Sequence, residues 1–209
     1  MEQTPSPASP YKGLAPYDVT DEDNFFGRER EKQILTGKIF SYNITLLFAA
    51  TGTGKSSLLR AAVMPGLTEM QQLDVVYYAD WIRNPVEGLQ TAIRETLIAN
   101  EKITGRELKG NKDLHDFLKI CTAYSSEPLV LMLDQFEELF QYHRSGSLLG
   151  FVEQFVPVIN DNDLPLSLVF SMREDFLAEL NIFKGKIPGP ARQLLSPGTA
   201  AHEPGAGRD

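Results

Sequence analysis

The chain has 209 residues, 42% of them hydrophobic and 23% charged, a balance typical of one globular α/β core with tails. Its net charge of −8 argues against binding duplex nucleic acid by the electrostatic field of the whole protein, because such binding usually requires a basic protein. A single cysteine excludes an internal disulfide, and no secretory leader or run of about 18 apolar residues is recognisable. We therefore expect a cytoplasmic protein that does not insert into membranes.

The segment before the first predicted strand contains stretches of different composition. The first ten residues are polar and rich in proline, and we expect a disordered lead-in there, with the folded domain spanning residues 11–184. Phe25 and Phe26, followed by Gly27 and Arg28, are candidates for one wall of an adenine pocket, with Phe26, Gly27 and Arg28 assigned to the nucleotide. The alternative is that the two phenylalanines are core residues. A helix is predicted over residues 28–39.

An apolar strand over residues 44–49 leads into a glycine-rich loop. Residues 49–56 read AATGTGKS, close to the phosphate-loop pattern G-x-x-x-x-G-K-[ST], with Ala49 in place of the first glycine. In such a loop the backbone N–H groups face phosphates, Lys55 reaches the β and γ phosphates, and the Ser56 hydroxyl ligates magnesium. We expect the alanine to weaken binding at most. The predicted phosphate-binding residues are Thr51, Gly52, Thr53, Gly54, Lys55, Ser56 and Ser57.

Strands and helices then alternate along the chain. Helices are predicted over residues 55–64, 86–100, 113–124, 136–142, 148–159 and from 175 to 180, and strands over residues 73–78, 129–133 and 166–171. Pro65 and Gly66 are predicted to end the first of these helices. The alternation predicts a parallel sheet with helices on both faces. From residue 185 onward the chain is rich in Gly, Pro and Ala, and we expect disorder.

The strand over residues 129–133 consists of five apolar residues and ends in an acid. It would deliver Asp134 to the carboxyl edge of the sheet, where ligands of such sheets bind and where the acid can hold magnesium. The alternative is an ordinary helix N-cap. Glu137 is the first candidate for orienting the attacking water and Glu138 the second. Each alternatively fits a solvated carboxylate in the first turn of a helix.

A cation follows the last predicted strand. Arg173 would enter the same cleft if its strand lies beside the Asp134 strand, and would then sense or stabilise the γ phosphate. The alternative is a surface arginine paired with Glu174 or Asp175.

These segments together resemble the STAND class of NTPases, and above all the novel STAND NTPase domain of bacterial multidomain proteins. The match covers roughly residues 10–184 and is carried by residues 11–17, 25–31, 55–60, 133–140 and 172–177. Related AAA+ ATPases usually place glutamate directly after the magnesium aspartate. Here Gln135 occupies that position and the acids come two and three residues later, which is similar to STAND proteins.

The resemblance implies a P-loop NTPase fold, a three-layer sandwich around a central parallel sheet, that binds ATP and ADP with Mg²⁺. It also implies a slowly hydrolysing switch that moves between a closed resting form and an open homo-oligomer, and that is linked to sensor repeats or effector domains encoded elsewhere. The choice of ATP over GTP is implied mostly by the resemblance, and the sequence contains no N-K-x-D motif for recognition of guanine. Two alternatives are a non-catalytic nucleotide-binding module, favoured by Ala49, and a DNA-dependent AAA+ ATPase, disfavoured by Gln135 and the acidic charge.

The end of the chain departs from the family pattern. After the Arg173 strand, family members continue with an edge strand and a helical lid, which residues 185–209 do not resemble. We therefore expect a truncated or frame-shifted end, and an unpaired edge on the phosphate-loop strand.

Overall fold

The structure, a computed structural model, describes residues 28–70, 73–103, 113–125, 128–143 and 146–186. Its elements, in chain order, are α1 (Glu29–Ser41), β1 (Ile44–Ala49), α2 (Lys55–Ser57, continued by π-helical turns Leu58–Val63 and Gly66–Met70), β2 (Asp74–Tyr78), α3 (Pro85–Ala99), α4 (Leu114–Tyr124), β3 (Leu129–Leu133), α5 (Glu137–Tyr142), α6 (Gly146–Asn160), β4 (Leu166–Arg173) and a 3₁₀ helix (Glu174–Phe183).

The four described strands form one parallel sheet in the order β1-β4-β3-β2. All five residues of β3 are buried, as expected for a central strand with helices on both faces. Because β4 is inserted between β1 and β3, the carboxyl ends of these three strands lie side by side. The predicted α/β fold, a three-layer sandwich around a central parallel sheet, is confirmed.

Alternate residues of the strands pack into two separate hydrophobic cores, one on each face of the sheet. Leu129, Leu131 and Leu133 face a core built with α3, α4, α5, α6 and the 3₁₀ helix. Val130 and Met132 face the opposite core, which is built with α1 and α2. The period of two along β3 therefore produces the two outer layers of the sandwich.

Helix α2 is longer than its sequence predicts. We expected Pro65 and Gly66 to end it, but helical turns continue to Met70. Proline usually ends an α-helix because its ring meets the carbonyl four residues earlier and its nitrogen carries no hydrogen. Wider π-helical turns on both sides of Pro65 relax that constraint. The segment after Arg173 also differs from the prediction, since it is 3₁₀-helical and not α-helical.

Strand β1 lies at the edge of the described sheet, beside β4. Its residues from Leu46 to Ala49 are only half-buried, in contrast to the fully buried β3. Residues 185 and 186 form a turn, and the remainder of the predicted tail, the lead-in over residues 1–10, Phe26 and Gly27 all lie outside the described residues. Within the described ranges, no helix has the length and apolar character needed to cross a membrane.

Candidate functional site

The loop between β1 and α2 has the backbone conformation that its glycines permit. Gly52 and Gly54 have φ values of 78° and 79°, in the left-handed region that strains a residue with a side chain. The N–H of Leu58 donates to the carbonyl of Gly54 at 2.9 Å, so the loop passes directly into the first turn of α2. This is the strand–loop–helix context that the phosphate-loop motif requires.

Lys55 is bound to its own loop. Its ammonium group donates to the carbonyls of Ala49 at 3.0 Å and Ala50 at 3.1 Å. The hydroxyl of Thr53 donates to Ala50 as well, at 2.9 Å. Thr51 and Gly52 are exposed at the tip, Ser56 is partly exposed and Ser57 is buried. The loop is thus closed mainly by contacts within itself.

Arg28 contacts this loop from the start of α1. Its Nη1 donates to the carbonyl of Thr53 at 2.8 Å and to that of Gly54 at 3.3 Å. We assigned Arg28 to an adenine wall with Phe26 and Gly27, and the structure shows it holding the phosphate loop. Glu31 lies 3.4 Å from its Nε, on the next turn of α1.

Asp134 follows β3 directly and is almost completely buried, with 1% exposure. Its Oδ2 accepts a hydrogen bond from the Tyr77 hydroxyl at 2.6 Å, and its carbonyl accepts one from Trp81 Nε1 at 2.7 Å. Its N–H donates to the carbonyl of Tyr78. Helix α5 begins three residues later and has no side-chain cap, so Asp134 does not act as the helix N-cap that its sequence position also allowed.

Tyr77 connects this acid to the phosphate loop. Its hydroxyl interacts with the side chain of Ser56 as well as with Asp134. Burial, and next the charge of Asp134, hold the pKa of Tyr77 far above its ordinary value, so its hydroxyl stays protonated and donates. The guanidinium of Arg60, on α2, lies 5.2 Å from the centre of the Tyr77 ring.

The residues after Asp134 turn sharply toward β4. Gln135 has a φ of 51°, and the N–H of Phe136 donates to the carbonyl of Ser171 at 2.9 Å. Glu137 is buried, and its Oε2 accepts from the backbone N–H of Arg173 at 3.2 Å. The two candidate glutamates therefore begin α5 close to the end of β4.

Glu138 is the more exposed of the two glutamates. Burial raises its pKa, and the charges of Glu137, Asp134 and Asp80 raise it further. Asp80, which follows β2, is thus a further acid near this site that the sequence reasoning passed over.

Arg173 reaches the predicted edge of the sheet, but its side chain is engaged elsewhere. The register of β1 and β4 pairs Arg173 with Ala49, at the start of the phosphate loop. Its Nη2 and Nε bind the carboxylate of Asp175 at 2.6 and 3.0 Å. This hydrogen bond lowers the pKa of Asp175, and the charge of Lys55 lowers it further. The surface pairing that we considered as an alternative is therefore the one observed.

The chemistry of the side chains around Asp134 fits magnesium. Ser56 and Asp134 supply a hydroxyl and a carboxylate, and Mg²⁺ prefers oxygen ligands. Among the described residues, no group of three or more His, Cys, Asp or Glu side chains is arranged to hold a metal alone. An ion here would therefore take its remaining ligands from nucleotide phosphates and water, which is how Mg²⁺ is commonly bound.

Besides Asp80, two further residues of this site, Tyr77 and Trp81, were missed by the sequence reasoning. Tyr77 lay within a predicted strand, and Trp81 lay between two predicted elements. The available signal for Tyr77 was the period of two along β2, which places it on the α2 side of the sheet, one residue before the strand ends. No sequence pattern indicated that Trp81 would contact Asp134.

Solved structures similar to this chain share its fold at low sequence identity. ORC2 of Aeropyrum pernix, in ADPNP–ADP complexes, has a TM-score of 0.57 and 14% identity over 85% of this chain and 48% of that chain. Cdc6p of Pyrobaculum aerophilum has 0.51 and 18%, over 91% and 46%. ORC1 of Aeropyrum pernix, in complex with DNA, has 0.51 and 16%, over 82% and 44%. The chain therefore spans about half the length of these structures.

Sequence comparison is more specific. No curated protein matched the chain. The model of the family Novel STAND NTPase 1 matches residues 10–195, which include the phosphate loop, Asp134 and Arg173. Because this match covers most of the sequence, the chain belongs to the Novel STAND NTPase 1 family.

Proposed function

We propose that the domain, over residues 11–184, is the magnesium-dependent ATP-binding switch of a STAND-type signal-transduction protein, and that it hydrolyses ATP slowly. The observation that carries the proposal is the juxtaposition of Lys55 and Ser56 with Asp134. The Tyr77 hydroxyl contacts both Ser56 and Asp134, so the phosphate loop and the acid share one edge of the sheet. Membership of an NTPase family supports a nucleoside triphosphate as the ligand.

In this proposal the phosphate loop binds by exchanging partners. Lys55 leaves the carbonyls of Ala49 and Ala50 for the β and γ phosphates, where its charge forms stronger hydrogen bonds. The N–H groups of residues 51–57 face the phosphates, at the N-terminus of α2. Ser56 and Asp134 would hold Mg²⁺, which would supply positive charge to neutralise the phosphate oxygens.

Hydrolysis is assigned to the start of α5. Glu137 orients the attacking water, because its carboxylate is buried and fixed by the N–H of Arg173. Glu138 is the second candidate, because its side chain is more exposed than that of Glu137. Arg173 is proposed to exchange Asp175 for the γ phosphate when ATP binds.

The wider setting follows from the family. We propose that sensor repeats or effector domains read the nucleotide state, that the ATP-bound form self-associates, and that the protein acts in the cytoplasm of a bacterium. The net charge of −8 opposes a nucleic-acid partner. The solved neighbours include a DNA complex, and therefore DNA is included in the test below.

The test is nucleotide binding and phosphate release by the purified chain, with and without Mg²⁺. The Lys55→Ala variant is expected to lose at least about 100-fold in ATP affinity, because it removes the charge that contacts the phosphates. Lys38→Ala, an exposed lysine near the end of α1, is the matched control and should bind like the parent. Equal affinity in the parent and Lys55→Ala would refute the phosphate-loop assignment.

The same assay separates the alternatives. Tight binding with no phosphate release above the Lys55→Ala background would identify a non-catalytic nucleotide-binding module, the alternative that Ala49 favours. Stimulation of turnover by duplex DNA would identify a DNA-dependent ATPase. If GTP binds as tightly as ATP, the proposed preference for an adenine nucleotide is wrong.

A further inference from the structure

We propose that Tyr77 is a positioning residue for the two predicted magnesium ligands, and that its hydroxyl fixes both Asp134 and Ser56 in the geometry that receives the ion. This inference rests on the proposed function and adds to it a residue that neither the phosphate-loop motif nor the acidic motif contains. Tyr77 does not touch the reacting atoms in this assignment, and it acts through the two side chains that do.

The geometry gives the hydroxyl a defined direction. It donates its single hydrogen to Asp134 Oδ2 at 2.6 Å, a length typical of a hydrogen bond from a hydroxyl to a carboxylate. With that hydrogen committed, the hydroxyl oxygen can only accept, and Ser56 is the hydroxyl that interacts with it. The Ser56 proton is thereby directed toward Tyr77, which leaves the lone pairs of Ser56 available to a cation.

The Tyr77 ring is itself held in place. It is partly buried among the residues of β2 and α2 and packs against the core on that side of the sheet. Arg60, one turn after Ser56 on α2, places its guanidinium over the ring at 5.2 Å. The Tyr77 ring is therefore held by α2, which carries the predicted ligand Ser56. Its own strand, β2, lies beside β3, which leads into the predicted ligand Asp134.

This arrangement matches what outer partners of metal ligands do in proteins. Such residues fix the orientation of a ligand side chain, and their loss typically weakens metal binding by 10- to 100-fold. A tyrosine that merely fills space would leave metal binding unchanged when its hydroxyl is removed. A hydroxyl that blocks the ion would instead strengthen metal binding on removal.

The first test is a Mg²⁺ titration of Tyr77→Phe in the presence of ADP, followed by the fluorescence of Trp81. Trp81 is the single tryptophan of the chain and donates to the Asp134 carbonyl, so it reports on the acid directly. The Mg²⁺ concentration at half-saturation should rise about 10-fold, while ADP affinity in EDTA stays unchanged. Tyr78→Phe, which removes a hydroxyl on the other face of the same strand, is the matched control and should titrate like the parent.

The second test needs no ligand. Melting temperatures of Tyr77→Phe, Asp134→Ala and the double variant form a cycle, and the double shift should fall short of the sum by at least about 2 °C. Tyr78→Phe with Asp134→Ala should be additive. If Asp134→Ala does not fold, Ser56→Ala replaces it in the cycle.

The outcomes separate this inference from the function on which it rests. An unchanged or lower half-saturation concentration in Tyr77→Phe overturns the positioning role, as does an additive cycle. If the parent binds ADP without any dependence on Mg²⁺, the magnesium assignment itself fails, and the cycle alone then decides whether Tyr77 holds Asp134.

Discussion

The acidic end of β3 and the phosphate loop face each other, but they are held in different ways. Asp134 is bound by Tyr77 and Trp81, which lie 57 and 53 residues away in the sequence. Lys55 is bound by carbonyls only 6 and 5 residues away. The acid therefore occupies its position only when the strands have assembled, whereas the lysine is held by its own loop.

This difference indicates which half of the site must rearrange when nucleotide binds. Asp134 is already buried, and a carboxylate with its partners in place is preorganised. The phosphate loop must give up the contacts of Lys55, and among the described residues Arg28 and Tyr77 contact it from distant parts of the sequence. We infer that changes at the acidic end affect metal use and chemistry, and that changes at the loop affect nucleotide affinity.

The largest effect is expected from Glu137→Gln. The substitution keeps an oxygen acceptor for the N–H of Arg173 and removes the charge that we propose orients the attacking water. ATP turnover should fall at least about 100-fold while ATP affinity changes little, as measured by single-turnover phosphate release and equilibrium binding.

Glu138→Gln is the matched control for this variant and should retain most of the turnover. The reverse result, with Glu138→Gln inactive and Glu137→Gln active, would show that the two roles are exchanged.

A second, smaller effect is expected from Asp134→Asn. The amide removes the negative charge but keeps an oxygen for the Tyr77 hydroxyl, so the fold should persist. ATP affinity in Mg²⁺ should fall about 10-fold, toward the value measured in EDTA. Calorimetric titrations with and without Mg²⁺ measure both values, and an unchanged magnesium dependence would show that Asp134 is only structural.

The sequence predicted most of the fold because its signals are local. The five apolar residues of β3 coincide with the observed strand, since a strand buried on both faces reads as a continuous apolar run. Gly52 and Gly54 marked the loop because their backbone conformation suits glycine. The predicted end of α2 was wrong, because helical turns continue through Pro65, with π-helical segments before and after it.

The contacts of the candidate site were less predictable. The Arg173 strand does lie beside the strand that precedes Asp134, as the sequence analysis required, but the Arg173 side chain binds Asp175, two residues away. Tyr77 and Trp81 contact Asp134 only through the pairing of β2 with β3 and the course of the following loop. Such contacts depend on register and side-chain direction, which no single motif encodes.

Arg28→Ala tests the contact between the start of α1 and the phosphate loop. The variant loses the hydrogen bonds to the carbonyls of Thr53 and Gly54, with an expected cost of about 1 kcal/mol in unfolding free energy. A looser loop should also lower ATP affinity about 5-fold. Arg30→Ala, an exposed arginine of the same helix, is the control for both measurements. An affinity equal to that of the parent would show that the loop holds its shape without Arg28.

The smallest expected effect is that of the Glu138 charge on the stability of the fold, measured as a melting temperature at several pH values. Its pKa in the folded protein is raised above 4.5, first by burial and then by Glu137, Asp134 and Asp80. The native state therefore binds the proton more tightly than the unfolded state, so Glu138 contributes stability below pH 4.5 that is lost as the pH rises through the raised pKa.

At pH 7 the charge of Glu138 is unfavourable, and Glu138→Gln should raise the melting temperature by about 1–2 °C. The gain should shrink as the pH falls toward 4.5. Glu153→Gln, at an exposed glutamate of α6, is the control for the substitution itself. A lower melting temperature of Glu138→Gln at pH 7 would mean that the carboxylate has favourable partners at the acidic end of β3, and that this end is less crowded with negative charge than its neighbours indicate.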